Sequence, residues 1–425
     1  MSATQLNRLR AGKLLESGRD SRRAVTPRTL ATAAKIVEEV RSHGERALRA
    51  YAEEFDGLAP GADLLLGPDQ LSAARAGLSS DQRRLLERTA ERIRVFAEAQ
   101  AATLLDCEVR VPGGRAGHTI APMERAGCYA PGGRFPLPSS VLMTVVTART
   151  AGVGQVFVAS PRPTQVTLAA AAVAGADGLL AAGGAQAIAA LAFGAGPLPA
   201  ADIVVGPGNR FVTAAKQLVA GHVAIDMLAG PSELVVLADE QAPPELVAAD
   251  LLAQAEHDPD ALAILVTWAG EEFVAAVDEA LAHQLATLPT ATTARRALSQ
   301  SFAVMAQDRA QAVAACDHLA PEHLEILSAD ASSLAAELHH YGALFIGPLS
   351  AEVLGDYGAG PNHVLPTGGT ARSQGGLSVL TFKRVRTWLH LDSPAAIAPL
   401  VNDAAALARL EGLVAHARAA ERREP

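Results

Sequence analysis

The feature that most limits the fold of this chain is a long alternation of two periodicities between Ser139 and Gly347. Short apolar runs rich in Val, Leu and Ile alternate with Ala-rich runs whose apolar residues recur at helical spacing. The spacing predicts helices over 139–151, 165–174, 185–193 and 211–219, with strands over 155–160, 178–184 and 202–209 between them. The pattern restarts at Glu233, with strands over 233–239, 261–268, 301–306 and 343–347, and a strand or helix-strand junction over 323–328. Helices over 244–257, 271–286 and 309–319 separate them. Strands joined through helices run parallel, because the crossover carries the chain back to the edge it left. Two parallel-sheet α/β modules of one architecture are therefore expected, although no residue-level repeat relates them.

The flanks read differently. Residues 1–20 look like a short helical arm, and 27–55 and 80–97 like amphipathic helices. Residues 115–133 break into short strands and turns, and 393–420 form an Ala-rich helical tail. No low-complexity linker interrupts the 425 residues, so the modules should pack tightly. The net charge of −9 disfavours nucleic acid, which needs phosphate neutralisation by Lys and Arg. The one basic cluster, Lys383, Arg384 and Arg386, reads as a solvated face. Three cysteines, Cys107, Cys128 and Cys316, with no Cys-x-x-Cys pair, suit free buried thiols in a reducing compartment. The amino terminus lacks a signal-peptide core, and the most apolar stretch, Thr167 to Gly196, is Ala/Gly-rich and carries Asp177. A cytoplasmic protein without membrane contact is expected.

Several segments could carry chemistry. The G-x-G-x-x-G dinucleotide fingerprint is absent. Glycine turns nevertheless close three expected strands, at Gly132-Gly133, Gly183-Gly184 and Gly206 to Gly208. Strand carboxyl ends are where open α/β sheets bind ligands, although such turns are also common as plain structure. Gln254 and His257 share a helix face. Asp356 and His363 lie in the turn-rich run GDYGAGPNH, and His416 in the last helix. Imidazole with carboxylate suits zinc, and an amide oxygen would be an unusual addition. Spacing alone fits packed or surface side chains as well. In PEHLE, Glu322 and His323 put a carboxylate beside an imidazole at an expected helix start. Two adjacent groups of different pKa could share the proton transfers of an oxidation.

Taken together, these segments resemble the histidinol dehydrogenase family. The resemblance runs from about Val25 to Ala420 and rests on eight stretches in family order: YAPGGRFPLPSSVLM, GGAQAIAALAFG, DIVVGPGNRFVTAAK, IDMLAGPSELVVLAD, DLLAQAEHD, APEHLE, GDYGAGPNHVLPT and EGLVAHARA. It implies one zinc ion per subunit on Gln254, His257, Asp356 and His416, with Glu322 and His323 as the acid/base pair. It implies NAD contacts at Tyr129, Gln186 and Asn209. Substrate contacts are implied at Ser232, Gln254, His257, His323, Asp356, His363, Glu411 and His416. Glu352 matches less clearly and is set aside. The implied reaction takes histidinol to histidine with two NAD, at the end of histidine biosynthesis.

The implied fold is aldehyde-dehydrogenase-like. It has two similar three-layer α/β/α domains with incomplete Rossmann modules and helical extensions at both ends. The expected division is an arm over 1–20, a catalytic domain from 21–125 and 233–375, an NAD domain over 126–232, and a helical tail over 376–425. That tail would reach the partner in a homodimer and supply Glu411 and His416. LSVLTFKRVRTW and FAEAQ depart from the family pattern, but neither carries an assigned role. Three other readings compete: a related enzyme for another small alcohol such as a sulfonated diol, a metal-binding scaffold without catalysis, and an aldehyde dehydrogenase working through Cys128 or Cys316.

Overall fold

A computed structural model describes residues 5–16, 25–132 and 136–423. Helices α2 (Pro27–His43), α3 (Glu45–Asp56), α4 (Pro68–Ala76) and α5 (Ser80–Ala102) come early. They follow strand β1 (Asn7–Arg10) and helix α1 (Ala11–Glu16), and β2 (Leu65–Leu66) lies among them. Strands β3 (Cys107–Val111) and β4 (Gly114–Pro122) form a hairpin.

The first α/β module contains β5 (Arg125–Tyr129), α6 (Pro138–Thr150), β6 (Gln155–Ala159), α7 (Gln165–Ala174), β7 (Gly178–Leu180), α8 (Gly184–Phe193), β8 (Ile203–Val205), α9 (Arg210–Val219) and β9 (Ala224–Ile225). The second begins with β10 (Glu233–Ala238), α10 (Pro244–His257), β11 (Leu262–Thr267), α11 (Glu271–Leu285) and α12 (Ala291–Leu298). It continues through β12 (Phe302–Met305), α13 (Arg309–Leu319), β13 (His323–Leu327), α14 (Ala331–Glu337), β14 (Ala343–Ile346) and α15 (Glu352–Asp356). Strand β15 (Lys383–Leu391) and helices α16 (Pro394–Leu410) and α17 (Val414–Glu421) end the described chain.

Both modules are wound alike. Their sheets run β2-β7-β6-β5-β8-β9 and β1-β12-β11-β10-β13-β14. Numbered within each module, the order is 3-2-1-4-5 with one earlier strand added at the edge. That is the dinucleotide-fold order without its sixth strand. The five module strands pair in parallel, β1 joins in parallel, and β2 joins antiparallel. Strand β10 is buried at all six positions, as a central strand covered on both faces must be. Its Leu234, Val236 and Ala238 pack toward α10, α11 and α12, while Val235 and Leu237 pack toward α1, α13 and α14. The other sheet has α4 to α7 on one face and α2, α3, α8 and α9 on the other. Each module is thus a three-layer sandwich, as expected.

Four details correct the sequence reading. Helices α2 to α5, expected in the domain of 233–375, pack on α6 to α9 of the other module. Their buried stripes, such as Ala33, Leu48, Leu86 and Ile93, complete that module's two cores. The amino-terminal arm contains a strand before its helix, and residues 1–4 and 17–20 lie outside the described residues. NRLR showed no apolar alternation, because it is an edge strand whose Arg8 pairs with Glu271 and Asp278. The helix expected over 27–55 breaks at Gly44, whose φ of 54° an L side chain rarely adopts. The tail is helical only from Pro394. Before that, Val379 and Phe382 enter the core, and β15 pairs antiparallel with β4. Among the described residues, no helix is long and apolar enough to cross a membrane.

Candidate active site

The two modules meet with opposite sheet edges. Glu233, at the amino end of β10, accepts a bond from Gly368 N–H at 2.8 Å. The segment leading to Gly368 also reaches the amino end of α6, which follows the carboxyl end of β5. There His363 Nε2 lies 3.4 Å from Ser140 Oγ, and Asn362 donates to the Met143 carbonyl at 2.9 Å.

His323 opens β13, so the expected helix start is a strand start. In β13, Leu324 and Ile326 face the α13 side and Leu327 the α10 side. Alternation therefore turns His323 and Glu325 toward α10. Along α10, Asp250, Gln254 and His257 share one face by helical spacing. One strand face and one helix face thus gather five polar side chains, four of them buried and His257 exposed.

Glu322 Oε2 accepts from Ser232 Oγ at 2.7 Å and from Glu233 N–H at 2.9 Å. Burial nevertheless holds its carboxyl well above the ordinary carboxylate range. His323 Nδ1 lies 3.2 Å from the Glu233 carbonyl, which can only accept. The proton therefore sits on Nδ1, and Nε2 keeps its lone pair. Nε2 is buried, has no hydrogen-bond partner among the described residues, and lies 3.9 Å from Asp356 Oδ1. Burial, opposed by the Asp356 charge, pushes the imidazole down to about 4.

Beside this pair is a cluster of donor atoms. His257 Nε2 is 3.6 Å from Asp356 Oδ2. One ligand atom each from His257, Glu352 and Asp356 lies within 4.8 Å of the others. Gln254 is 0% exposed, yet neither its amide oxygen nor its nitrogen has a hydrogen-bond partner among the described residues. A buried amide with nothing to bond is costly unless something binds there. The nitrogen and oxygen donors of this set fit zinc. His363 stands at the rim, donating from Nδ1 to the Asp356 carbonyl at 2.9 Å.

Glu411 and His416 do not join the group. Both are exposed on the carboxyl-terminal hairpin, where α16 and α17 pack on each other around Ala405, Ala408 and Ala417. Neither side chain bonds to any of the groups above.

Tyr129, Gln186 and Asn209 come together on the carboxyl edge of the first module, at the ends of β5, β7 and β8. Each has a local partner. The Tyr129 hydroxyl accepts from Gly184 N–H at 3.2 Å, and Gln186 donates to Asp56 at 3.2 Å. Asn209 caps α9 through Phe211 and Val212. Gly206 has a φ of 113°, and a Cβ there would fall 2.0 Å from the Tyr129 carbonyl oxygen. The N-cap residues of α6 and α8, Leu137 and Gly183, make no side-chain cap bond, and at α8 Asp56 and the Tyr129 hydroxyl accept from Gly183 and Gly184 N–H instead. The expected turn at Gly132-Gly133 is described only at Gly132, since Gly133 lies outside the described residues.

A profile of the histidinol dehydrogenase family matches residues 20–424. The chain belongs to the histidinol dehydrogenase family. Histidinol dehydrogenases of Pseudomonas aeruginosa and Thermus thermophilus are 43% and 46% identical to it. Each match spans 91% of this chain, and 89% and 93% of those proteins respectively. The crystal structure of histidinol dehydrogenase from Elizabethkingia anophelis matches with a TM-score of 0.89 at 31% identity and covers 98% of both chains. An acetylating aldehyde dehydrogenase from Geobacillus thermoglucosidasius, 13% identical with a TM-score of 0.50, shares the fold alone. As a member of the histidinol dehydrogenase family the chain is an oxidoreductase.

Sequence reasoning set Glu352 aside and did not find Asp250 or Glu325. Glu352 is 2% exposed and lies 3.5 Å from His323 Nδ1. A thiolate route has no support in this histidinol dehydrogenase family member. Cys128 and Cys316 are buried among apolar groups, and burial pushes Cys128 up to about 12 and Cys316 well above its ordinary value.

Proposed function

We propose that this chain oxidises L-histidinol to L-histidine through the aldehyde, with two NAD, as the last step of histidine biosynthesis. The observation that carries the reading is the Glu322–His323 pair set beside the partnerless Gln254 amide and the His257–Asp356 couple. Gln254, His257 and Asp356 would hold zinc, joined by His416 from the partner subunit of a homodimer. When bound, zinc would supply a fixed positive charge and a two-point hold on the imidazole and amine nitrogens of histidinol. NAD, held on the turns of Tyr129, Gln186 and Asn209, would accept a hydride in each oxidation.

His323 Nε2 takes the hydroxyl proton as the first hydride leaves. Its neutral tautomer is set by the Glu233 carbonyl, and burial makes the imidazolium costly, so the proton is soon passed on. Glu322 takes a proton from the water that adds to the aldehyde. A raised pKa makes it a stronger base than an exposed carboxylate. Ser232 keeps Glu322 Oε2 in place. His363 and the partner's Glu411 would orient the charged and N–H groups of the substrate. Three unpaired cysteines accord with a cytoplasmic setting.

The test is chelation, zinc re-addition and assay with histidinol and NAD. Two NADH for each histidine formed, and none in the chelated protein, is the expected result. Turnover of a sulfonated diol without turnover of histidinol would overturn the substrate assignment. A His323→Gln variant should bind zinc and lose turnover, and retained turnover would remove His323 from its role.

A further inference from the structure

In the 3-2-1-4-5 module of β5 to β9, the second strand is β6. In dinucleotide folds the carboxyl end of that strand reads the adenosine ribose. An Asp or Glu there bonds the 2′-hydroxyl and repels a 2′-phosphate, whereas an Arg accepts the phosphate. Here β6 is followed by Ser160, Pro161, Arg162, Pro163 and Thr164, with no acid before α7.

Three observations set Arg162 apart. Its turn belongs to the cofactor edge. Pro161 fills the space between Gly132, after β5, and Gly183, after β7, so that a Cβ on either glycine would strike it at 2.4–2.6 Å. Its backbone has a φ of 45°, a value shared among the described non-glycine residues only with Ala320. Such strain is costly for an L residue and persists where the surroundings hold it, here between two prolines. Its side chain is exposed and makes no hydrogen bond or ion pair among the described residues. The acid within its electrostatic reach, Asp56, is buried and already accepts from Gly183 N–H and from Gln186. The guanidinium is therefore uncommitted at the edge where the cofactor would lie.

We infer that Arg162 meets the 2′ position of the adenosine ribose and accepts a 2′-phosphate, so that this chain takes NADP as well as NAD. The inference rests on the dinucleotide reading above. The reaction is unaltered, because the 2′-phosphate is remote from the nicotinamide carbon that receives the hydride. What changes is affinity, through a charge-assisted contact that a planar guanidinium makes well.

The experiment compares 2′,5′-ADP with 5′-AMP, and NADPH with NADH, by calorimetry and nicotinamide fluorescence on the zinc-loaded protein. The proteins are wild type, Arg162→Gly and Arg162→Lys. Glycine suits the positive φ and leaves the turn intact. Wild type should bind 2′,5′-ADP at least about tenfold more tightly than 5′-AMP, with the difference shrinking as salt rises. Arg162→Gly should abolish that preference and leave NADH affinity within about threefold, and Arg162→Lys should restore part of it. The ratio of kcat/KM for NADP to that for NAD should fall in parallel. Equal affinity of wild type for the two nucleotides, or a preference that survives in Arg162→Gly, would overturn the inference. NADH binding with no NADPH binding sinks this inference alone, whereas binding of neither would sink the dinucleotide reading itself.

Discussion

Glu325 sits two residues beyond His323 on the same face of β13 and is 1% exposed. It faces Asp250 of α10, with the Glu352 backbone N–H nearby, so two buried carboxyls lie side by side. One proton shared between the two carboxyls resolves this. Burial, and then the Asp250 charge, pushes Glu325 up to about 9. The native state thus keeps a proton that the unfolded chain releases in the ordinary carboxylate range. Stability must fall as pH rises from that range toward 9. A Glu325→Gln variant should be more stable than wild type at pH 8, with the gain fading toward pH 4. Melting curves across that range check it, and an unchanged slope would be contrary. His323 acts in the opposite sense. Its folded pKa of about 4 lies below its ordinary 6.5, so it costs stability as pH falls through that interval. His323→Gln should flatten the acid limb of the same curves. The nearness of these acids was legible in part. Glu325 follows His323 by two along a strand, and Asp250 precedes Gln254 by four along a helix, so each pair shares a face. Their mutual contact was not legible, because it joins two elements far apart in sequence.

Helix α9 shows how an element holds a turn. Lys216 and Asp226, 2% and 0% exposed at their side chains, form a buried ion pair around Gly206. Lys216 Nζ donates to the Gly206 carbonyl at 3.0 Å, and Asp226 Oδ2 accepts from Gly206 N–H at 2.7 Å. Asp226 Oδ1 also accepts from Met227 N–H at 2.6 Å. Lys216→Met would leave a buried charge without its partner, at a cost of roughly 3–5 kcal/mol. Denaturant titration should show that loss, and a loss below about 1 kcal/mol would mean that the pair is not what holds the turn. Most helices and strands of the two modules were legible because buried parallel strands and amphipathic helices differ in period. Strand β15 was not, since it is largely exposed on both faces and carries little alternation. Helix α15, five residues long, was lost within a run of turn residues.

For the whole molecule, Glu411 and His416 lie exposed on the tail, apart from the other polar groups of the candidate site. The tail also exposes Leu407, Leu410 and Val414, and the surface beside α15 exposes Leu349, Leu354 and Tyr357. Two apolar surfaces on one chain suit an exchange of tails in a symmetric dimer. If the tail acts in trans, His323→Gln and His416→Asn proteins, each inactive alone, should recover activity when unfolded together and refolded. Random pairing would rebuild about a quarter of the sites. No recovery, with mixed dimers shown to form, would place His416 in its own chain's site. The doubling of one module was legible from strand spacing. The packing of α2 to α5 was not, since their apolar stripes do not name the sheet they cover. The edge strand β1 has a further consequence. Its partner, β12, leaves the ribosome about 295 residues later, roughly 15–60 s at ordinary rates of synthesis. By then every strand of the cofactor-side sheet has emerged, while β1, made earlier than any of them, still waits to border the other sheet. Competence for chemistry therefore arrives only when the distal part of the message has been read.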